Sequence, residues 1–369
     1  MNRMNYWDYI KVEELLALQG GRSNDPTPPG NDEVLFITVH QIYELWFKLL
    51  IREIESVRDL LRNDHLPGHQ VVAGVRSLRR AVAIFSQASH HFHVMETLTT
   101  RDFLEFRDQL APASGFQSAQ MREIEILVGL EDIQRIPIGP GKTYVESLAL
   151  PNGEPSVAAR RVEARAAGGP SLRHCLHDWL SRLPIEGLTG PAAVARFLDD
   201  YIGSLRRESQ YRLQAAADSG AAPGEIERLK ARYATECANA ERFLRAEDDP
   251  DADDGICEKR RAVRAAMVFI ESYRELPQLA WPRELLEGVL DLEQAMLIWR
   301  QRHARMVERM VGRRAGTGGS AGVDYLDQTA LRYRVFADLW TARSLLLRKS
   351  SVPSISLDAS DALAARGLQ

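Results

Sequence analysis

Cysteine is scarce in this chain: three in 369 residues (Cys175, Cys237 and Cys257), with no CxxC pair and no CxxCH motif for covalent cofactor attachment. That excludes a disulfide framework and fits a reducing compartment. The first residues, MNRMNYWDYIKVEELL, lack the basic-then-apolar layout of a secretory signal. No unbroken apolar run approaches the ~20 residues of a membrane span. The cytoplasm is the expected location, with no membrane partner. An excess of one charge is missing too. Lys and Arg number 47 against 51 Asp and Glu, a net charge of −4, so no general attraction to nucleic acid or anionic lipid is expected. GxSxG, HExxH and Rossmann fingerprints are absent, which excludes a nucleophile elbow, a zinc-protease helix and a dinucleotide loop of those types. No stretch alternates at period two, and there is no internal repeat.

What the chain has is helical periodicity nearly throughout. Its length predicts a large core or two lobes. A short amphipathic segment over 8–19 precedes a loop rich in Gly, Pro and Asn. A long helix is expected from about Asp32, which would cap it, and a second from Val71 to Leu98 with apolar residues three, four or seven apart. Two shorter helices should flank APASGFQS. Residues 135–256, rich in Ala and Arg and broken by GPG, PNGEP and GGP, read as an inserted helical subdomain ending in a solvated acidic turn, EDDPDADDG. A long helix over 283–313, the glycine loop AGTGGSAG and a last helix over 326–347 follow. The predicted fold is therefore all-α: a helix bundle in which 31–134 and 257–349 form the core, 135–256 is the insert, 1–30 an N-terminal segment and 350–369 a weakly ordered tail.

Several residues could carry chemistry. His303, in LIWRQRHARMVERMVG, has Met296, Trp299, Met306, Val307 and Met310 at helical spacings, with Arg300 intruding. A histidine on such a face can ligate haem iron, or it can be a core histidine satisfied by a carbonyl; periodicity shows only burial. His40 shares a helical face with Phe36, and the pair suits a pocket for a flat heteroaromatic with one N–H, or again a core. Phe103 and Arg107 are four apart. The arginine fork fits a carboxylate ligand, but Asp102, Glu105 and Asp108 are nearby partners. AGTGGSAG follows a helix and lacks GKS or GKT, so a lid with Thr317 as a polar contact fits it better than a phosphate loop. In HHFH, His91 and His93 point about 200° apart on a helix and cannot chelate one metal.

NYWDYIKVEELLALQ, HQxxELW, PxSGFQSxQxR and RxxHxxxVxRxxGxxxGTGGSxG occur here in one order, over about 5–135 and 260–350. Together they resemble the tryptophan 2,3-dioxygenase family, and the chain length resembles its animal-type layout. The resemblance implies a bundle enclosing a haem b pocket, ferrous for activity. His303 falls on the proximal iron ligand and His40 on the distal residue that accepts the indole N–H. Phe36 and Phe103 match pocket aromatics, Arg107 the carboxylate clamp, Thr317 the lid contact to the ammonium, and Gly115 a position close to the bound oxygen. Tyr6, Tyr9 and Ile10 match the segment that reaches into a neighbouring subunit, which implies a homotetramer. The implied reaction is C2–C3 cleavage of L-tryptophan by dioxygen to N-formylkynurenine, the entry to the kynurenine pathway.

Trp7, Asp8, Met95 and Ala321 depart from the family's usual residues, chiefly at the pocket entrance and lid. They leave two alternatives open: action on a substituted (β-methyl) tryptophan or insertion of one oxygen to give a 2-oxindole, and a non-catalytic haem or indole sensor.

Overall fold

A computed structural model describes residues 5–21, 28–64, 66, 68–110, 115–138, 143–150, 152–314 and 322–355. In chain order the helices are α1 (Tyr6–Tyr9), α2 (Val12–Leu16), α3 (Asn31–Leu61), α4 (Gly68–Met95), α5 (Thr100–Leu110), α6 (Ala119–Val128), α7 (Tyr144–Leu148) and α8 (Val157–Ala167). They continue with α9 (Leu172–Arg182), α10 (Pro191–Asp218), α11 (Pro223–Leu244), α12 (Asp254–Ser272), α13 (Ala280–Val311), α14 (Val323–Arg332) and α15 (Ala337–Ser344). Among the described residues there is no strand, only two isolated bridges, so the all-α expectation holds.

The chain divides into two compact units: one of residues 1–52, 81–169 and 294–334, the other of 53–80, 170–293 and 335–369. Helices α3, α4 and α13 contribute residues to both.

In the first unit, α6 shows why burial dictates pairing. Ser118 caps it by accepting from Met121 N–H, and Gly129 ends it at φ 113°, a left-handed conformation that favours glycine. Nearly every side chain between them is buried, including Arg122, Glu123 and Glu125. A buried charge is tolerable only when paired. Arg161 of α8 accordingly reaches Glu123 at 2.7 Å, and the same helix supplies Ala159 and Val162 to a small apolar cluster with Ala119 and Leu148.

The second unit is built around α12, buried along most of its length and packed against α9, α10, α11 and α15. Phe197, Tyr201, Phe269 and Tyr273 form a connected aromatic core. Gly74 and Gly288 permit close helix approach: a Cβ at Gly74 would lie 2.9 Å from Leu60 Cδ2, and one at Gly288 3.0 Å from Leu78 Cδ1. Of the C-terminal tail, residues 350–355 are tied down, Ser351 Oγ donating to Glu208 and Tyr273 Oη donating to the Pro353 carbonyl.

Three sequence expectations change. The acidic run is no mere solvated turn. Arg264 donates to both Asp248 oxygens at 2.6 and 2.8 Å, Arg260 pairs with Asp249, and Asp253 caps α12. Those bonds to Arg264 hold the Asp248 carboxyl below its ordinary range. Next, α3 is long and apolar enough, by length and composition, to cross a membrane. Glu44 and Lys48 break its apolar run without making the helix polar on average, and Val39, Tyr43, Phe47, Leu50 and Ile54 bury one face inside the protein.

Finally, the single helix expected over 326–347 is two, α14 and α15. The reason is Glu293. Its buried carboxylate accepts from Val335 N–H at 2.5 Å, Phe336 N–H at 3.0 Å and Trp340 Nε1–H, satisfying the backbone where the helix breaks. We expect Glu293→Leu to strand those donors and cost about 3 kcal/mol or more, at roughly 1–3 kcal/mol for each unsatisfied group. Glu293→Gln keeps an acceptor for the two amides and should cost less. Urea unfolding of both variants checks this; a Leu variant as stable as the parent contradicts it.

Candidate functional site

Four helices supply the candidate site, all through residues of the first unit: α3 brings Phe36 and His40, α5 brings Phe103 and Phe106, α4 brings Phe92, and α13 brings Trp299 and His303. Phe36 and His40, one turn apart, lie against each other with ring centroids at 4.1 Å and planes tilted by 39°. Phe103 and Phe106 each approach Phe36, at 5.7 and 5.6 Å, and meet each other edge to face. Aromatic pairs at such offsets make a firm apolar wall. The structure thus brings together Phe36, His40 and Phe103, and adds Phe106, which sequence reasoning missed. Its spacing of three from Phe103 was the available signal.

The hydrogen bonding of His40 decides its chemistry. Its Nδ1 lies 2.7 Å from the Phe36 carbonyl oxygen. A carbonyl can only accept, so Nδ1 carries the proton, and in the neutral ring Nε2 is left as an acceptor. Burial holds the imidazole below its ordinary pKa, against the opposing pull of that carbonyl and of Glu44. His40 therefore presents a lone pair on Nε2 at neutral pH. The ring is hemmed in by protein yet still has open surface, as a side chain lining a hollow does. Glu44, one turn on, is occupied: Gln120 donates to both its carbonyl and its carboxylate at 2.7 Å.

His303 sits in a different environment. Phe92 stacks parallel to it at 5.6 Å and Trp299 lies at 5.3 Å. Burial lowers its pKa to about 4, with His40 and Arg300 adding to the effect. It is neutral at pH 7, and the two imidazoles lie within electrostatic reach of each other. No described protein group hydrogen-bonds the His303 ring, so the core-histidine reading, in which a carbonyl satisfies it, finds no support. A neutral, apolar-walled imidazole with an unengaged nitrogen fits a single axial bond to a haem iron. Among the described residues no group of three His, Cys, Asp or Glu could share a metal ion, and His93 instead faces Glu96 at 3.2 Å.

The remaining predicted residues are placed as follows. Arg107 is half-buried on α5, one turn from Phe103. Gly115 opens the short 3-10 turn Gly115–Gln117, where an added Cβ would meet nothing within 4 Å. Tyr6, Tyr9 and Ile10 are 74%, 73% and 42% exposed and form an apolar patch at the start of the described chain. Their segment is moored to α3 by Gln19 and Gln41, which bond at 2.6 Å, and by Gln41 to the Leu18 carbonyl. Thr317 and Ala321 lie outside the described residues.

Sequence reasoning also missed a charged cluster behind His303. Glu125, fully buried on α6, accepts from Arg122, from Arg135 at 2.6 Å and from Arg300 at 2.6 Å. Burial would raise the Glu125 carboxyl, but the three guanidiniums overcome it and hold it well below the carboxylate range. Arg300 also lies over the Tyr333 ring at 4.9 Å, and Arg135 over Tyr144 at 4.3 Å.

The tryptophan 2,3-dioxygenase family profile matches residues 1–346. The chain is 69% identical over 368 residues to tryptophan 2,3-dioxygenase 2 of Ralstonia nicotianae, all of each chain being covered. It is 66% identical to tryptophan 2,3-dioxygenase of Sorangium cellulosum, over 95% of this chain and 85% of that one. It is 31% identical to the Anopheles gambiae enzyme of that name, over 98% of this chain and 90% of the other. On the ordered motifs, the paired histidines and this match over nearly its whole length, the chain belongs to the tryptophan 2,3-dioxygenase family.

Proposed function

We propose that this chain is a haem-dependent dioxygenase that cleaves the C2–C3 bond of L-tryptophan's indole ring, giving N-formylkynurenine. The observation that carries this reading is His40: a neutral imidazole whose Nε2 can only accept, set in an aromatic wall near a second, apolar-buried imidazole. A ligand satisfying it must be flat and must offer one N–H, which an indole does. An acceptor enclosed by the bound ligand and left unpaired penalises analogues that lack the donor.

Each residue then has a task. His303 would hold haem b through its unengaged nitrogen, with Phe92 and Trp299 fixing the ring's orientation. When bound, ferrous haem supplies the activation of dioxygen. His40 takes the indole N–H and so fixes which edge of the ring faces the oxygen. Phe36, Phe103 and Phe106 press on the ring faces and keep water out. Arg107 clamps the substrate carboxylate with its planar fork. Thr317 contacts the ammonium, and Gly115 leaves room beside the oxygen. Tyr6, Tyr9 and Ile10 close the pocket of a neighbouring subunit in a homotetramer, which accounts for their exposure here. The protein works in the cytoplasm, on tryptophan and dioxygen, without nucleic acid or membrane.

Three outcomes test this. Reduced enzyme given L-tryptophan and labelled dioxygen should yield a product 32 mass units heavier in unlabelled terms, with both oxygen atoms labelled. A product gaining only one oxygen, or turnover only of a β-methylated substrate, selects the corresponding alternative instead. His303→Ala should lose the Soret band while remaining folded by circular dichroism, whereas a band of undiminished height removes His303 as the ligand. Tyr6→Ser/Tyr9→Ser should weaken assembly and raise KM for tryptophan. Light scattering that finds the parent monomeric would remove the shared-pocket role.

A further inference from the structure

Arg122 and Arg300 each stand in one of the sequence motifs, yet neither has a task in the site described above. Arg300 lies one turn before His303 on α13 and is 7% exposed. To the apolar packing of this turn of α13, the bond from Arg300 to Glu125 at 2.6 Å adds a directional tie, beside the pair that Arg302 makes with Glu96 at 2.9 Å. Glu125 is anchored in turn by Arg122 on its own helix and by Arg135, and Arg122 reaches Tyr325 of α14 at 3.4 Å. The turn that presents the imidazole is therefore fastened to α6, to the segment after it and to α14.

The cluster is also unbalanced. Three guanidiniums converge on one fully buried carboxylate, and the additional acid that Arg135 touches, Asp132, has a side chain 82% exposed. Water screens that exposed partner, whereas buried charges act over a longer range. The Glu125 cluster therefore holds more positive than negative charge one turn from His303, while the adjacent Arg302 is paired with Glu96 at 2.9 Å.

We propose that Arg300, held by Glu125, is a positioning residue for His303 that also sets the charge behind it, biasing iron bound there toward the ferrous state. The step concerned is the one-electron reduction of ferric to ferrous iron. It removes one positive charge from the iron centre, so a nearby buried cation favours the reduced form. Stabilising that form matters because the ferrous state is the one that takes dioxygen. This inference rests on the haem reading of the site.

The test is a redox titration of the haem-loaded protein, with dithionite as electron donor and mediators present, read from the Soret and visible bands. Arg300→Met leaves Glu125 paired to two arginines, so the fold should survive. Loss of one buried charge should lower the ferrous-to-ferric ratio at a fixed applied potential on the order of fivefold. Arg300→Lys keeps the charge and loses the fork; its ratio should return most of the way to the parent's while its melting temperature stays reduced. Should Arg300→Met fail to fold or to hold haem, Arg122→Met decides, since it removes a charge from the same carboxylate without touching α13 and should give a smaller shift of the same sign. An unchanged ratio in whichever of these two variants is measured, or a Lys variant shifted as far as the Met variant, overturns the proposal. A parent protein that takes up no haem overturns the proposed function itself, which separates the two failures.

Discussion

A carboxylate with no access to water holds the first unit together at its most charged point. Glu125 could not remain ionised there alone, because desolvation would protonate it or unfold the segment. Three guanidiniums make its burial possible, and they come from different places: its own helix, the segment following that helix, and the turn of α13 that carries His303. Tyr144 and Tyr333 cover the flat faces of the arginines, so the cluster is also packed against rings. A buried ion cluster of this kind adds little net stability over an apolar core of the same shape. Its hydrogen bonds link α6, the segment after it and α13 at one point.

The two histidines show how one side-chain type is given two roles by its surroundings. Both are neutral at pH 7, chiefly because burial disfavours the imidazolium. His40 has a carbonyl at Nδ1, which fixes the tautomer and leaves Nε2 as an acceptor. His303 has rings beside it and no hydrogen bond from any described group, which leaves its ring nitrogen unengaged. Under the proposed function the first arrangement suits recognition of an N–H and the second suits a bond to iron.

The second unit obeys the same rule with other partners. Glu293 and Arg264 are both buried, and each satisfies several groups at once: Glu293 the break between α14 and α15, Arg264 the acidic loop and the Phe243 carbonyl. Glu125 in the first unit, and Glu293 and Arg264 in the second, stand where the backbone turns or where separate segments meet.

Periodicity, composition and motif order were enough to give the helical class, the location of most helices and the pairing of Phe36 with His40, because these depend on neighbours within a turn. They also led to the family, since three ordered motifs are local strings. Other features depended on residues far apart in the chain. That Phe106 joins the aromatic wall, that Arg300 meets Glu125 across 175 positions, and that Glu293 splits a helix beginning 30 residues later are results of packing. Arg300 looked like an intrusion on an apolar face for that reason: a charge reads as misplaced until its distant counter-charge is seen. The acidic loop misled in the converse way, since a charge run looks solvated until a buried arginine claims it. The sequence by itself determined which side chains are available and which share a helical face; only the tertiary structure decided which of them are buried together, and burial is what sets their charge, their tautomer and their use.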